Sequence, residues 1–338
     1  MTTAGAAAPF TIRALTRDDL PAVVAIDAAL EGRSRRDYVE RRLAAALQEP
    51  KLHAQFAACD DRGLAGYIMA RVLQGEFGYS EAGLRLEMVG LREGARGHGG
   101  GAQLFQVLAD WGRRHGIRDV HTTATWRDAP MLGWLNAMGF RLAPSYILDA
   151  GLRQAASREA DEPVTLPRGH GPGAEVNFGA AQANDDERMA LDRPDVRPMA
   201  LDDLREIVRI DRGITGRDRG SYIEARLAEA MDDSRIRVSL TARREGVIVG
   251  FVMARADLGD YGRAEPVAVV DTLGVDVGHS RRQVGQALLE QLFSNLAALQ
   301  IERVETQVAS TQLPLLAFFQ QNGFQPSQRL AFQRRLDV

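Results

Sequence analysis

The chain has 338 residues, more than a single hydrophobic core usually organises, so two domains are the expectation. With 45% apolar residues, 26% charged residues and a net charge of -3, it has an ordinary globular composition that marks neither a nucleic-acid binder nor a membrane-surface protein. A single cysteine, Cys59, excludes an internal disulfide. The lack of a secretory leader pattern, or of an apolar run of roughly 20 residues, favours a cytoplasmic location.

The first 150 residues predict a regular series of elements. Thr16-x-x-Asp19 is a capping pattern at the start of a helix, and residues 60–63 have the composition of a hairpin turn. In chain order the elements are an extended first strand (10–14), a helix (20–30), a second helix around 38–47, a second and a third strand (55–59 and 64–72), a fourth strand (84–91), a long amphipathic helix, a short strand (120–124), a short helix before Gly139 and a last strand.

The same series is written a second time. Residue 12 corresponds to residue 196, an offset of 184 residues, and the same offset relates Gly139-Phe140 to Gly323-Phe324. We therefore predict two domains, 1–150 and 195–338, joined by a linker at 151–194 that is rich in Gly, Pro and Ala. Each domain is expected to be an α+β unit with a mixed, largely antiparallel sheet that is flanked by helices and closed by its own last strand.

The fourth strand of each copy carries an acid and leads into a loop that opens the long helix. The acid is Glu87 in the first copy and Asp271 in the second. Backbone N–H groups at the start of a helix, together with the positive end of its dipole, bind diphosphate groups without basic side chains. Small residues are needed there because a side chain would hold a phosphate away from the amides.

The stretch Arg282-x-x-Gly285-x-Ala287 resembles the Q/R-x-x-G-x-G/A signature of the GNAT acetyltransferase superfamily. The order of elements is also similar to that fold, over residues 10–148 and 196–336. The resemblance implies a protein that uses acetyl-CoA as co-substrate and transfers the acetyl group to a primary amine of a small molecule or peptide.

The resemblance also implies roles for the loop and the strand. The diphosphate would lie on the loop amides and the pantetheine arm along the fourth strand, where a backbone N–H could polarise the thioester carbonyl. Asp271 and Glu87 are the candidate bases, the alternative being acids in a polar network or facing solvent at a strand end. The residues expected to bind acetyl-CoA are Leu273, Val275, Arg282, Gln283, Val284, Gly285, Gln286 and Ala287 in the second copy, and Val89, Leu91, Gly99 and Gly101 in the first.

Both copies depart from the family pattern. In the first, His98 and Gln103 stand where the signature expects Gln or Arg and Gly or Ala; the second has Ser280-Arg281 where a glycine is usual. We therefore predict that the second copy holds the intact site and that the first is degenerate. The tyrosine that often protonates the leaving thiolate is replaced in both copies, by Leu135 and by Phe319.

A second conserved pattern within the repeat lies between the first two helices. Arg217, Arg219 and Tyr222 are candidate substrate-binding residues, since two arginines near a tyrosine could clamp an anionic group. A structural ion pair with Asp211 is the alternative.

Two functions remain open. The first is an N-acetyltransferase with direct attack of the amine in a ternary complex, in which either the second copy alone or both copies, on different acceptors, carry the reaction. The second is a non-catalytic protein that binds acyl-CoA for regulation or as a scaffold. No metal site is expected, because the histidines lack paired ligand spacing and there is one cysteine. The two copies are expected to form an internal pseudo-dimer, with a homo-oligomer also considered.

Overall fold

The computed structural model describes residues 10–73, 75–78, 81–152, 194–232, 238–258 and 266–336. The predicted linker at 151–194 lies, apart from its ends, outside the described residues. We call residues 10–152 the first half and residues 194–336 the second half.

Each half contains four helices and seven strands among its described residues. In the first half they are β1 (Thr11–Ala14), α1 (Leu20–Glu31), α2 (Arg36–Gln48), β2 (His53–Asp60), β3 (Gly63–Leu73), β4 (Gly83–Leu91), α3 (Gly100–Arg114), β5 (Asp119–Thr125), α4 (Ala129–Ala137), β6 (Arg141–Leu142) and β7 (Ser145–Gly151).

The second half repeats this order. Its elements are β8 (Asp195–Pro198), α5 (Leu204–Thr215), α6 (Gly220–Asp232), β9 (Leu240–Arg244), β10 (Val247–Leu258), β11 (Pro266–Val275), α7 (Val284–Ala298), β12 (Arg303–Ala309), α8 (Leu313–Gln321), β13 (Gln325–Pro326) and β14 (Arg329–Arg335).

Local sequence explains several of the boundaries. The Asp19 carboxylate accepts hydrogen bonds from the Thr16 backbone N–H (2.8 Å) and hydroxyl (3.0 Å), and so caps the turn that precedes α1. Gly32 then ends α1 in the left-handed conformation, with a φ of 72°. Asp60 pairs with Gly63 across the tight turn between β2 and β3, which confirms the predicted hairpin.

The fold is α+β, as predicted. The sheets have the strand orders β1-β2-β3-β4-β5-β14-β6 and β13-β7-β12-β11-β10-β9-β8. Among the strands of the described residues, only the pairs β4–β5 and β11–β12 are parallel, so both sheets are mixed and largely antiparallel.

The halves exchange their long last strands. β14 pairs antiparallel with β5 of the first half, and β7 pairs antiparallel with β12 of the second. The expectation that each copy is closed by its own last strand is therefore wrong. Because β7 and β14 occupy the same place in the repeat and have seven residues each, either can complete either ladder, and exchange costs no strand pairing.

Helices cover both faces of each sheet. On one face of the first sheet, Leu104 and Leu108 of α3 pack against Leu84 of β4, while Val23 of α1 and Val39 of α2 belong to the cluster on the other face. The second sheet is packed in the same way by α7 on one side and by α5 and α6 on the other. Full burial of each such side chain contributes roughly 1.5–3 kcal/mol to folding.

Candidate functional site

Both candidate bases lie at β-bulges. In the ladder between β3 and β4, Met69 faces Met88 and Ala70 faces Leu86, so Glu87 is the extra residue between them. The register of β10 and β11 shifts in the same way around Asp271. A bulge bends its strand and re-aims the side chain, and bulges are common beside active sites.

A gap opens beside the second part of β4. The parallel ladder between β4 and β5 includes only Gly83–Arg85, although β5 itself continues to Thr125. The Thr122 hydroxyl donates to the Leu86 carbonyl at 2.9 Å, where the ladder stops. In the second half, Thr306 donates to Val270 at 2.8 Å in the same position.

Backbone groups of β4 point into this gap. The Arg92 N–H donates to Ala65 O on the β3 side at 2.9 Å. Since successive strand residues direct their N–H and C=O groups to opposite sides, those of Leu91 and Val89 point away from β3, into the gap.

The second half has the same arrangement. The Asp276 N–H donates to Val249 O on β10 at 2.8 Å, which directs the backbone groups of Val275 and Leu273 into the gap beside β12. All four predicted strand residues therefore present backbone groups where an extended, amide-containing arm could pair with them.

The loop before the long helix has one backbone conformation in both halves. Gly97 and Gly99 have φ values of 79° and 81°, and their equivalents Arg281 and Gln283 have φ values of 62° and 58°. A side chain in the left-handed region costs roughly 1–2 kcal/mol. The first half therefore has glycine, which the left-handed conformation favours, at both positions. The second half has side chains there and pays a conformational free energy for them.

The start of the helix defines which amides are available. Gln283 and Gly99 are the residues that precede α7 and α3. The Ala287 N–H donates to Gln283 O at 3.0 Å, which is the first bond of the helix. The backbone N–H groups without an acceptor in the helix are therefore those of Val284, Gly285 and Gln286, whereas that of Ala287 is already used.

The side chains of this loop differ in exposure. Val284 is buried in the core, whereas Arg282, Gln283 and Gln286 are exposed. A Cβ on Gly285 would lie 3.0 Å from Phe318 Cζ, so this glycine lets α8 approach α7.

The equivalent glycine of the first half has the same role. A Cβ on Gly101 would lie 2.7 Å from Trp134 Nε1, whereas a Cβ on Gly97 would meet no atom of the described residues within 4 Å. In the first half, Gly97 and Gly99, which have room around them, therefore lie in the loop. Gly101, which lets α4 pack closely, lies inside α3.

Glu87 is held by two arginines. Its Oε1 accepts a hydrogen bond from Arg71 Nε at 2.9 Å and lies 3.6 Å from Arg42 Nη1. The side chain is only 5% exposed. Its position corresponds to the polar-network alternative for this acid, and an amine in solution has little access to it.

Asp271 is buried without a hydrogen bond to Oδ1 from the described residues. Burial raises the pKa of this carboxyl to about 6, against the opposing effect of Arg255 and Arg226, while the nearby Glu76 adds to the rise.

A short segment of the first half, residues 75–78, packs against β11 and β12 of the second half. Its Glu76 is fully buried, with Oε1 lying 2.9 Å from Arg71 Nη1 and 3.6 Å from Arg226 Nη2. Burial opposes ionisation of Glu76, but Arg71, Arg226 and Arg255 outweigh it and lower the pKa to about 2.

The same segment contacts two of the predicted substrate-binding residues. Arg219 donates to Gly75 O and also binds Asp211, with Nη2 to Oδ1 at 2.6 Å and Nε to Oδ2 at 3.1 Å. The Tyr222 ring packs beside Gly75 and is buried, and Arg217 is exposed. The ion pair with Asp211 that the sequence offered as an alternative is thus present.

Comparison with known families decides the identity. The sequence model of the acetyltransferase (GNAT) family matches residues 15–140 and again residues 201–324. The chain belongs to the acetyltransferase (GNAT) family. Its tandem organisation has parallels among solved structures, and no curated protein matches the chain.

Three of the similar structures illustrate this. A tandem GNAT protein from the clavulanic acid biosynthesis pathway has 16% identity and a TM-score of 0.62, over 97% of this chain and 99% of that one. A GCN5-related N-acetyltransferase from Sphaerobacter thermophilus has 16% identity and a TM-score of 0.59, over 98% and 96%.

The third is described as a GCN5-related glucosamine N-acetyltransferase region of a fungal multi-domain GH3 beta-N-acetylglucosaminidase, with 14% identity and a TM-score of 0.64. The match takes in 98% of this chain but only 39% of that protein. At these identities the likeness shows the fold alone.

A second string of the chain fits the GNAT signature besides Arg282-x-x-Gly285-x-Ala287. Arg96-x-x-Gly99-x-Gly101 also fits Q/R-x-x-G-x-G/A, and it places glycine at the left-handed residue before the helix. The corresponding residues of the second half are Ser280, Gln283 and Gly285. Sequence reasoning missed Arg96, whose Nε donates to Leu91 O at 3.3 Å. The repeat offset leads from Arg282 to His98, so only a separate search of the first copy for the signature would have found Arg96.

Apolar core residues occupy the tyrosine position of the GNAT fold in both halves. Leu135 and Phe319, at the tyrosine position, are 1% and 2% exposed and belong to the two cores. Within the described ranges, no helix is long and apolar enough to cross a membrane, and no cluster of three or more His, Cys, Asp or Glu could hold a metal ion.

Proposed function

We propose that this GNAT protein transfers an acetyl group from acetyl-CoA to a primary amine, and that the first half carries the reaction. The observation that supports this is the combination, in one half, of a glycine loop before α3 and an adjacent stretch of β4 that the ladder with β5 does not include. The acceptor is proposed to be a small-molecule or peptide amine, with attack in a ternary complex.

The loop is the first reason to place the site in the first half. The residues fit a bound diphosphate, because Gly97 and Gly99 hold the left-handed backbone without side chains, and Gly99 has only Gln103 Nε2, at 4.0 Å, near a Cβ. The amides that begin α3 would hold the diphosphate. In the second half, the side chains of Arg281 and Gln283 project from the same positions.

The segment at 75–78 is the second reason. It packs on the second half at β11 and β12, and its Gly75 carbonyl accepts a hydrogen bond from Arg219, a predicted substrate-binding residue. Because a part of the chain already covers this region, we propose that the second half serves as a scaffold.

The strand edge of the first half supplies the remaining contacts. Backbone groups of Val89 and Leu91 would pair with the pantetheine arm, and a backbone N–H there would polarise the acyl carbonyl. Acetyl-CoA supplies the activated acyl group. A thiol with a pKa of about 8.5 is an adequate leaving group as its thiolate, so Leu135 in place of tyrosine does not prevent the reaction.

The matched pair Gly99→Asp and Gln283→Asp tests which half binds acetyl-CoA. Aspartate tolerates the left-handed conformation and places a negative charge at the same point of each loop. Isothermal titration of acetyl-CoA is expected to show a large loss of affinity for Gly99→Asp, with Gln283→Asp binding as the unaltered chain does. The reverse result would assign the site to the second half.

The alternative function is acyl-CoA binding without transfer. It is favoured by Leu135 and Phe319, neither of which can give a proton, and by the two arginines that hold Glu87. Release of free thiol from acetyl-CoA with glucosamine, spermidine and glycinamide distinguishes the two. Binding without thiol release for any amine would support the alternative.

Location and partners are further proposals. We place the protein in the cytoplasm, on the grounds of its single cysteine. We expect no nucleic-acid partner, because the net charge is -3.

A further inference from the structure

We propose that Glu31, the last residue of α1, is the base that removes a proton from the acceptor amine in the first half. The inference rests on the proposed transfer reaction and adds the residue that activates its acceptor. Glu87, the bulge acid, is held by Arg71 and Arg42 and its side chain is almost wholly buried, so an amine from solution has little access to it.

The last turn of α1 lies against β4 beside the gap. A Cβ on Gly90 would lie 2.8 Å from Leu30 Cδ1, so the last turn of α1 rests directly on β4 at Gly90. Gly90 lies between Val89 and Leu91, whose backbone groups point into the gap. Glu31 therefore follows a residue that touches the strand at the proposed acyl-binding edge.

The charges around Glu31 come from both sides of the gap. Arg35 and Asp27 are on the α1 side, with Arg35 Nη2 3.3 Å from Glu31 Oε1. Arg329 and Asp128 act on it from β14 and from the start of α4, which belong to the β5 side.

Contacts hold these two far-side groups in place. Arg329 Nη2 donates to Thr123 Oγ1 on β5 at 3.1 Å, and Asp128 Oδ1 accepts from the Met131 N–H at 3.1 Å. Glu31 therefore lies within electrostatic range of charged groups on the β5 side of the gap as well as on the α1 side.

Glu31 also has the accessibility and basicity for the task. Its side chain is 38% exposed, whereas that of Glu87 is 5% exposed. Partial burial raises the pKa of Glu31 above its usual value, with Arg35 opposing the rise. A carboxylate with a raised pKa is a stronger proton acceptor.

The step is balanced as follows. Glu31 takes one proton from the ammonium, and the freed nitrogen lone pair forms the C–N bond to the acyl carbon. The C–S bond breaks, its electron pair leaves with sulfur, and the second nitrogen proton goes to the thiolate. Glu31 then returns its proton to water.

The second half lacks this group. The equivalent residue is Thr215, whose hydroxyl donates to Asp211 O at 2.8 Å. A threonine cannot act as a base here, which agrees with the assignment of the reaction to the first half and offers a matched control.

The test measures thiol release by the full chain with two acceptors, ethylamine and 2,2,2-trifluoroethylamine. The fluorinated amine has largely lost its ammonium proton at neutral pH and therefore needs no base. Glu31→Gln is expected to lower kcat/KM for ethylamine by about 100-fold. It should leave trifluoroethylamine nearly unaffected and the Kd of acetyl-CoA unchanged, while Thr215→Ala behaves as the unaltered chain.

Glu31→Asp keeps a carboxylate and is expected to recover part of the ethylamine rate, which separates basicity from packing. Thermal unfolding of Glu31→Gln checks that the fold is intact. Equal losses with both amines, or none with ethylamine, would overturn the inference and leave the proposed function standing. If the unaltered chain transfers acetyl to no amine, the inference and the proposed function fall together.

Discussion

Glu76 of the first half and Arg226 of the second form an ion pair across the boundary between the halves, with 3.6 Å between Oε1 and Nη2. Arg71 of the first half binds the same carboxylate at 2.9 Å and also reaches Glu87. The buried carboxylate of Glu76 therefore links the surroundings of Glu87 in the first half with those of Asp271 in the second. Such a pair is costly to break, because removal of one partner leaves the others buried without compensation.

We expect Glu76→Gln to lower the free energy of unfolding at pH 7 by about 3 kcal/mol. The pKa of Glu76 is lowered from 4.5 to about 2, so its contribution is complete above pH 4.5 and disappears as the pH falls towards 2. Urea unfolding at several pH values measures this. The difference between the variant and the unaltered chain should vanish in acid.

Asp110→Asn is the control for Glu76. Its partner Arg113 lies at 2.7 Å, but the pair is exposed to solvent and is worth at most about 1 kcal/mol. Equal losses for the two variants would contradict a buried network at the boundary.

The pH dependence of Asp271 has the opposite sign. Its pKa is raised from 3.8 to about 6, so its contribution to stability is present below pH 3.8 and is lost as the pH rises through 6. Asp271→Asn is expected to raise the free energy of unfolding at pH 7 by up to about 3 kcal/mol. A variant that is less stable than the unaltered chain at pH 7 would show that the charge is favoured in the fold.

The strand exchange predicts which cysteine pair can form a disulfide. Thr123 of β5 lies directly opposite Ala331 of β14. In a background with Cys59→Ser, Thr123→Cys with Ala331→Cys is expected to cross-link within one chain, because directly opposed residues have Cβ atoms about 4.5–5.5 Å apart.

The control is Thr123→Cys with Ile147→Cys, which would be opposed if each half kept its own last strand. Ile147 instead faces Gln307. Mass spectrometry of the oxidised chains identifies the bond, and cross-linking of the control pair alone would disprove the exchange.

The left-handed residue before the long helix predicts opposite changes in stability when glycine is introduced in the second half and removed in the first. Gln283→Gly is expected to stabilise the chain by about 1 kcal/mol, because it removes the side chain from a φ of 58°. Gly99→Ala introduces the same strain in the first half and should destabilise by a similar amount. Thermal unfolding measures both, and two changes of the same sign would contradict a shared backbone conformation.

Much of the fold could be predicted because the elements of each copy are specified by short stretches of sequence. The order of strands and helices, the hairpin at 60–63 and the two acidic strands follow from periodicity and turn composition. The family resemblance was then confirmed by the match to both halves. The register of the loop signature stays a prediction, since one string fits it in each half and the two strings differ by two residues within the repeat.

The amino-acid pattern thus specifies the elements and the duplication, because hydrophobic period, caps and turns act over a few residues. The tertiary structure alone decides which half receives β7 and β14, since two equivalent ladders compete for strands of equal length. It alone also places Glu76 beside Arg226 and Leu30 against Gly90, because these encounters join segments far apart in the chain and leave no trace in local spacing.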